Sequence, residues 1–201
     1  MGNKLFFNKY FFFLFLILIS LFWIDFLLGD NRVFLFINRK IANSGLDFIC
    51  LNIFVPLFFL LGLVPFLMIF SRRYWKLGLF SLISGFLCYQ IGNLIKVLVS
   101  QPRPFEILPA RILGPWTARS FSFPSTTTML GFGLAIPILI EKPKYGLPLL
   151  ILSSLLGFSV IYTGFHFPQD VIAGAIFSSV LVFLMEQIKG RKYKVFLRAR
   201  N

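Results

Sequence analysis

The sequence predicts an all-α, polytopic membrane protein with six transmembrane helices in one bundle, and three observations predict it. The 201 residues are 58% hydrophobic and 13% charged, with 28 phenylalanines and a mean hydropathy of +0.85, a balance foreign to soluble domains. The apolar residues fall in six continuous runs, not in the alternating segments of about ten residues that a membrane barrel requires. Most of the charge, +13 net, sits between the runs.

The first run, Tyr10 to Leu28, follows Lys4 and Lys9. Its apolar core is too long for a signal peptide and no small-residue cleavage pattern follows closely, so it is expected to remain as a span. Phe48 to Phe70 and Leu77 to Val99 are the second and third runs, parted by Arg72, Arg73 and Lys76. Thr126 to Ile140 is the shortest, followed by Leu147 to Phe165 and Pro168 to Ile188. Most have the roughly 20 residues that cross a ~30 Å hydrocarbon layer. Residues 1–201 read as one domain with an outer loop at 100–125 and a basic tail at 189–201. Cys50 and Cys88 lie inside apolar runs without ligand spacing, as packed thiols do, so no metal and no cofactor are expected.

Charge sets the expected orientation. The basic residues at the chain start, Arg72 to Lys76, Lys142, Lys144 and the tail from Lys189 to Arg200 share one side of the six-helix arrangement; Arg32, Arg39, Lys40, Lys96, Arg103, Arg111 and Arg119 share the other. The positive-inside rule puts both termini in the cytoplasm and the 100–125 loop on the periplasmic or extracellular face, in a protein expected in a bacterial inner membrane. The tail then reads as an anchor meeting anionic lipid, not nucleic acid. Trp116 and five prolines suit a loop lying at the interface. The sequence carries no signal of oligomeric state.

Three stretches at that outer side carry chemistry. Gln90, Asn93 and Lys96 form a polar stripe toward the outer end of the third helix, and Pro102-Arg103-Pro104 sets an arginine in a stiffened turn. A compact ammonium and a planar guanidinium suit a phosphate dianion, although a lysine at a helix end also snorkels without function. Phe121-Ser-Phe-Pro124-Ser125-Thr126-Thr127 opens the fourth helix; Ser125 is an N-cap and the amides after it offer an anion site. The only histidine, His166, lies four residues before Asp170 at the corner entering the sixth helix. Asp170 can accept a proton from one imidazole nitrogen, leaving the other free to attack phosphorus.

These stretches resemble the type 2 phosphatidic acid phosphatase family, related in fold to the vanadium haloperoxidases. The family pattern is a lysine, six residues and Arg-Pro; a Pro-Ser-Gly-His; and a Ser-Arg, five residues, His, three residues, Asp. Lys96 to Arg103-Pro104 matches the first in full, Pro124-Ser125 the second as far as serine, and Ser159 to His166 and Asp170 the third except at arginine. The layout and the stretch from Leu35 to Asp47 are also similar. The resemblance implies His166 as nucleophile, Asp170 as its orienter, and Lys96, Arg103 and Ser125 as the phosphate clamp, with Thr126, Thr127 and Arg119 auxiliary. Thr127 stands where the family's acid histidine would be and Val160 where its second arginine would be.

The resemblance thus implies a membrane lipid phosphatase or phosphotransferase acting on a phospholipid or polyprenyl pyrophosphate through a phosphohistidine, with membrane lipids as its other partners. Loss of an acid costs about 10²- to 10⁴-fold when the leaving group needs its proton. A pyrophosphate substrate, whose leaving group is a phosphate, is expected to tolerate Thr127 best. Arg119 or Arg111 can replace the missing arginine. The alternative is a catalytically impaired relative that binds lipid phosphate headgroups or a membrane partner. Transport fits less well, because the ionisable residues gather at one face rather than at the bilayer midplane.

Overall fold

Gly29, at φ +88°, ends the first helix and turns the chain across the end of the molecule. The structure, a computed structural model, describes residues 9–115 and 117–199, with side chains for 10–54, 56–115 and 117–189. The readings made above for Lys4, Lys9, Trp116 and the tail side chains from Arg191 to Arg200 fall outside these. Helix α1 spans Lys9–Leu28; α2, Asp30–Leu35, runs into a π-helical turn at Phe36–Lys40; α3 is Ser44–Ile49. Asn43 caps α3, its Oδ1 accepting the Leu46 amide at 2.9 Å. A second π-helical turn, Cys50–Phe54, leads into α4, Val55–Ile69. Pro56, near the start of α4, has no N–H to donate, and the irregular turn falls just before it.

Helix α5, Trp75–Val99, closes at Ser100 in the left-handed conformation, φ 52°, two residues before Pro102. The outer loop contains one helical turn, α6 (Pro104–Ile107). Three longer helices follow: α7, Thr126–Glu141; α8, Pro143–Tyr162; and α9, Pro168–Ala199. No strand occurs among the described residues. The second run, as far as Ile69, lies within one continuous helical stretch, Ser44–Ile69, that carries a π-helical turn inside it. Phe165 lies in the corner after α8 instead of in the helix, and the last helix continues beyond Ile188.

The core is organised around α7, which packs against α5, α8 and α9, while α4 lies on α5 and α1 on α9. Met129, Ile136, Ile138 and Leu139 of α7 are fully enclosed. Small residues let α5 and α7 approach: a Cβ on Gly133 would meet the Gly85 Cα and the Cys88 Sγ, each at 2.9 Å, which also accounts for Cys88 as a packed thiol. Hydroxyls tie neighbouring backbones, with Ser81 Oγ donating to Leu134 O at 2.6 Å and Ser178 Oγ to Met129 O at 3.0 Å. Outward faces carry exposed Phe12, Phe13, Phe59 and Leu98, as lipid contact demands in an integral membrane protein.

Among the described residues five helical stretches are long and apolar enough to cross a membrane: Tyr10–Leu28, Ser44–Ile69, Trp75–Ile107, Pro143–Tyr162 and Pro168–Lys189. Helix α7 is apolar and shorter, at 16 residues. The basic loops do gather at one end. Lys142 lies over the Tyr74 ring, Tyr74 packs against Tyr145, and Lys189 Nζ donates to Glu141 Oε1 at 2.6 Å. At the opposite end lie α2, α3, α6, the outer loop and the corner between α8 and α9.

Candidate active site

The corner before α9 is held by its own backbone and by a scaffold reaching from the first 50 residues. Phe165 N and His166 N both donate to Val160 O, at 3.0 and 3.1 Å. Gly164 has φ +95°, and a Cβ there would meet the Arg111 carbonyl oxygen at 2.4 Å. Asn38, fully buried, donates from Nδ2 to Arg111 O and Tyr162 O, 2.8 Å each, and accepts the Arg111 amide at 2.7 Å. The Arg111 guanidinium donates to both oxygens of Asp47 at 2.8 Å, and the Tyr162 hydroxyl donates to Asp47 Oδ1 at 2.6 Å. Arg111 is therefore committed to the scaffold and is not the replacement cation considered for Val160. Phe34 of α2 packs on Phe167, ring centroids 5.5 Å apart.

This corner brings His166 and Asp170 together as their spacing predicts. His166 Nδ1 lies 3.3 Å from Asp170 Oδ2, which also accepts the Phe167 amide at 2.8 Å and the Ser122 hydroxyl at 2.5 Å. Gln101 Nε2 reaches Asp170 Oδ1 at 3.3 Å. With so many donors aimed at it, Asp170 serves as an acceptor, and Nδ1 is the protonated nitrogen in the tautomer this arrangement favours. Burial pushes the His166 pKa down to about 4 against the pull of Asp170, with Lys96 and Arg103 adding to the depression. The imidazole is neutral at pH 7, and Nε2 keeps its lone pair.

The two cations close the loop around this pair. Lys96 is 3% exposed and donates to the carbonyls of Phe121 and Ser122, at 2.5 and 2.8 Å; the third ammonium hydrogen is left for another acceptor. Arg103 has extended backbone, φ −81° and ψ 157°, directly before α6, as its place between two prolines predicts. Its Nε donates to Ser120 O at 2.7 Å, Nη2 to Ser120 Oγ at 3.1 Å and Nη1 to Phe165 O at 2.8 Å. Arg103 thus joins the outer loop to the corner.

Ser125 caps α7, as expected. Its Oγ accepts from Thr128 Oγ1 at 3.0 Å and from the Thr128 amide at 3.4 Å. Its own amide donates to Asp170 O at 3.0 Å, which locks the α7 start to α9. Ser125 is wholly buried and is not among the residues lining the adjoining cavity. That cavity, about 390 Å³, is bordered by Arg103, Thr126, Thr127, Val160 and His166, with Phe58 and Phe59 on its apolar side. Thr127 and Val160 thus border the same cavity as the histidine, while Arg119 is exposed and is not among the lining residues, although its neighbour Ala118 is. Among the described residues no group of three or more His, Cys, Asp or Glu could hold a metal ion.

Sequence reasoning missed Ser122 and Gln101 as partners of Asp170. Both lie in stretches singled out for other residues, and only the folding of the loop brings them to α9. The family model of the PAP2 superfamily matches residues 73–194, a range that takes in all three stretches. The chain belongs to the PAP2 superfamily. Among curated relatives, it is similar to an undecaprenyl-diphosphatase of Sulfolobus acidocaldarius, 32% identical over 128 residues, covering 63% of this chain and 62% of that protein. It is also similar to the undecaprenyl-diphosphatase BcrC of Bacillus subtilis, 35% identical over 106 residues, 53% and 54% of the two chains. The matches thus span less than two thirds of those relatives. The PAP2 type phosphatidylglycerolphosphate phosphatase of Bacillus subtilis has a similar fold, with TM-score 0.60 and 22% identity over 89% of this chain and 94% of that one.

Proposed function

We propose that this PAP2 superfamily member is a lipid phosphatase that removes the terminal phosphate of a polyprenyl pyrophosphate through a phosphohistidine. The observation that carries this reading is the placement of a neutral, Asp170-bound His166 on the wall of a cavity shared with Arg103 and the start of α7. The names of the two curated relatives support the substrate class. His166 Nε2 attacks the terminal phosphorus, the bond to the bridging oxygen breaks, and the lipid leaves as its monophosphate. Water then cleaves the phosphorus–nitrogen bond, releasing inorganic phosphate and restoring the imidazole. Lys96, Arg103 and the first amides of α7 offset the charge on the equatorial oxygens, while the buried Ser125 fixes the start of α7 as its cap.

The apolar side of the cavity supports a lipid substrate. Phe58 and Phe59 also border a second space of about 410 Å³ that runs between α4, α5 and α7 and is lined by Leu82, Phe86 and Leu134. An isoprenoid tail lying there places its headgroup against His166. Thr127 and Val160 support a pyrophosphate over a phosphomonoester, since a departing phosphate needs little protonation.

In this reading residues 1–201 form one domain, α7 completes a sixth crossing inside the bundle, both termini are cytoplasmic, and the site faces the periplasm or cell exterior. The membrane is a bacterial inner membrane. The test is phosphate release by purified protein from a polyprenyl pyrophosphate, phosphatidic acid and phosphatidylglycerophosphate, beside His166→Ala. Turnover that favours the pyrophosphate and vanishes in the variant is expected. Headgroup binding without turnover on any of the three lipids would instead establish the catalytically impaired alternative, which the uncharged Thr127 and Val160 walls favour.

A further inference from the structure

Asp25 lies near the end of α1, is 4% exposed, and neither of its oxygens has a hydrogen-bond partner among the described residues. Around it the bundle is apolar: Leu21, Leu28, Phe158, Ile161 and Val171 line the adjoining space. An isolated carboxylate in such a place is costly. Two polar side chains bear on it, those of Asp30 and Gln169. Asp30, just past the Gly29 turn, is within hydrogen-bonding reach of Asp25, and its Oδ1 accepts the Gln169 amide at 3.0 Å. Two carboxylates facing each other are both acceptors and leave each other unsatisfied. A single proton between them turns the same geometry into a hydrogen bond.

We propose that Asp25 and Asp30 share one proton and together act as a positioning device for the His166–Asp170 pair, holding the first turn of α9 through the Gln169 amide. This rests on the reading that His166 and Asp170 carry the chemistry. Gln169 directly precedes Asp170, so the carboxyl pair and the catalytic carboxylate grip the same helical turn from two sides. The charged groups bearing on Asp30 are Asp25 and Asp170. Elements α7 and α8 present Phe132, Phe158, Ile161 and one hydroxyl, Ser154, to the space beside Asp25, the hydroxyl donating to Leu150 O; Arg32 of α2 is exposed and without an ion pair among the described residues. Burial and the two neighbouring carboxylates push Asp30 up to about 7, so the shared proton is held below neutral pH and lost as pH rises through about 7. Its loss leaves two like charges pressed together, and relief of that repulsion shifts Asp30 together with the Gln169 amide it holds. A bound cation is a poorer account, because two carboxyls without further oxygen donors make a meagre cation site.

The experiment is infrared spectroscopy of the full-length protein in nanodiscs, paired with pH profiles of kcat/KM, for wild type, Asp25→Asn and Asp30→Ala. Wild type is expected to show a protonated-carboxyl band that disappears as pH rises past neutrality and is missing in Asp25→Asn; any contribution of buried Glu186 survives in that variant and cancels in the difference. Asp25→Asn carries a permanent donor to Asp30, so the alkaline fall of kcat/KM moves upward by a unit or more. Asp30→Ala, without the acceptor for Gln169, loses kcat by about ten- to a hundredfold, as a displaced catalytic pair does, with little change in KM. Absence of the difference band overturns the shared proton, and does so without any need for turnover. A band accompanied by superimposable pH profiles overturns the positioning role.

Discussion

The Ser122 hydroxyl donates to Asp170 Oδ2 at 2.5 Å across 48 residues of sequence, and the same oxygen lies 3.3 Å from His166 Nδ1. The outer loop therefore shares with α9 the task of aiming the histidine. Ser122→Ala removes that donor and leaves Asp170 free to turn away from the imidazole. A loss of kcat of about tenfold with KM nearly unchanged is expected, because an orienting contact acts on the transition state rather than on substrate binding. Equal kinetics in variant and wild type would show that Phe167 N and Gln101 suffice to hold Asp170.

Burial of His166 sets the acid limit of activity. A group with a folded pKa depressed from the ordinary 6.5 to about 4 is neutral, and able to attack, at any pH above that value. Turnover is expected to persist well below pH 6 and to fall as pH drops through about 4. The same shift acts on stability: the unfolded chain takes up a proton near 6.5 and the folded one does not, so this histidine's contribution is present above that pH and drains away as pH falls toward 4. A kcat/KM profile with its acid limb near 6.5 would mean that the imidazole is solvated in the working enzyme.

The helices were legible because run length reports burial in lipid directly, and the His166 to Asp170 spacing set the corner histidine over the first turn of the following helix. The π-helical turn inside the second run was not, since Pro56 sits in an otherwise uniform apolar stretch. Nor was the part played by Arg111. Its sequence neighbourhood marks it only as an outer-loop cation, whereas Asn38, Asp47 and Tyr162 claim it through contacts 64 to 73 residues away for the two acceptors. Ser125 was legible as a cap because capping is local chemistry; that its amide would bind the Asp170 carbonyl depends on how α7 meets α9.

Thr127 and Val160 both border the cavity with His166, so an acid can be restored where it is missing. Thr127→His places an imidazole at the start of α7, within the same wall. Phosphatidic acid turnover is expected to rise by about tenfold or more, part of the 10²- to 10⁴-fold that a positioned acid contributes, while polyprenyl pyrophosphate turnover changes little. If both substrates respond alike, the identity of residue 127 does not set the leaving-group preference.

Gly164 turns the corner at φ +95° with the Arg111 carbonyl 2.4 Å from where a Cβ would lie. Gly164→Ala meets two penalties, a backbone conformation that L-residues avoid and a clash with backbone that Asn38 holds in place from Nδ2. The strain alone costs about 1–3 kcal/mol, and the clash can be relieved only by moving Arg111 or the segment leading to His166. A lowered Tm in detergent is expected together with a fall in kcat that exceeds any change in KM, because the displaced segment carries the nucleophile. Asn38→Ala removes the other side of the same contact, so the double variant should lose less than the two single losses combined. Strict additivity of the two would show that the corner and the Asn38 scaffold are energetically separate.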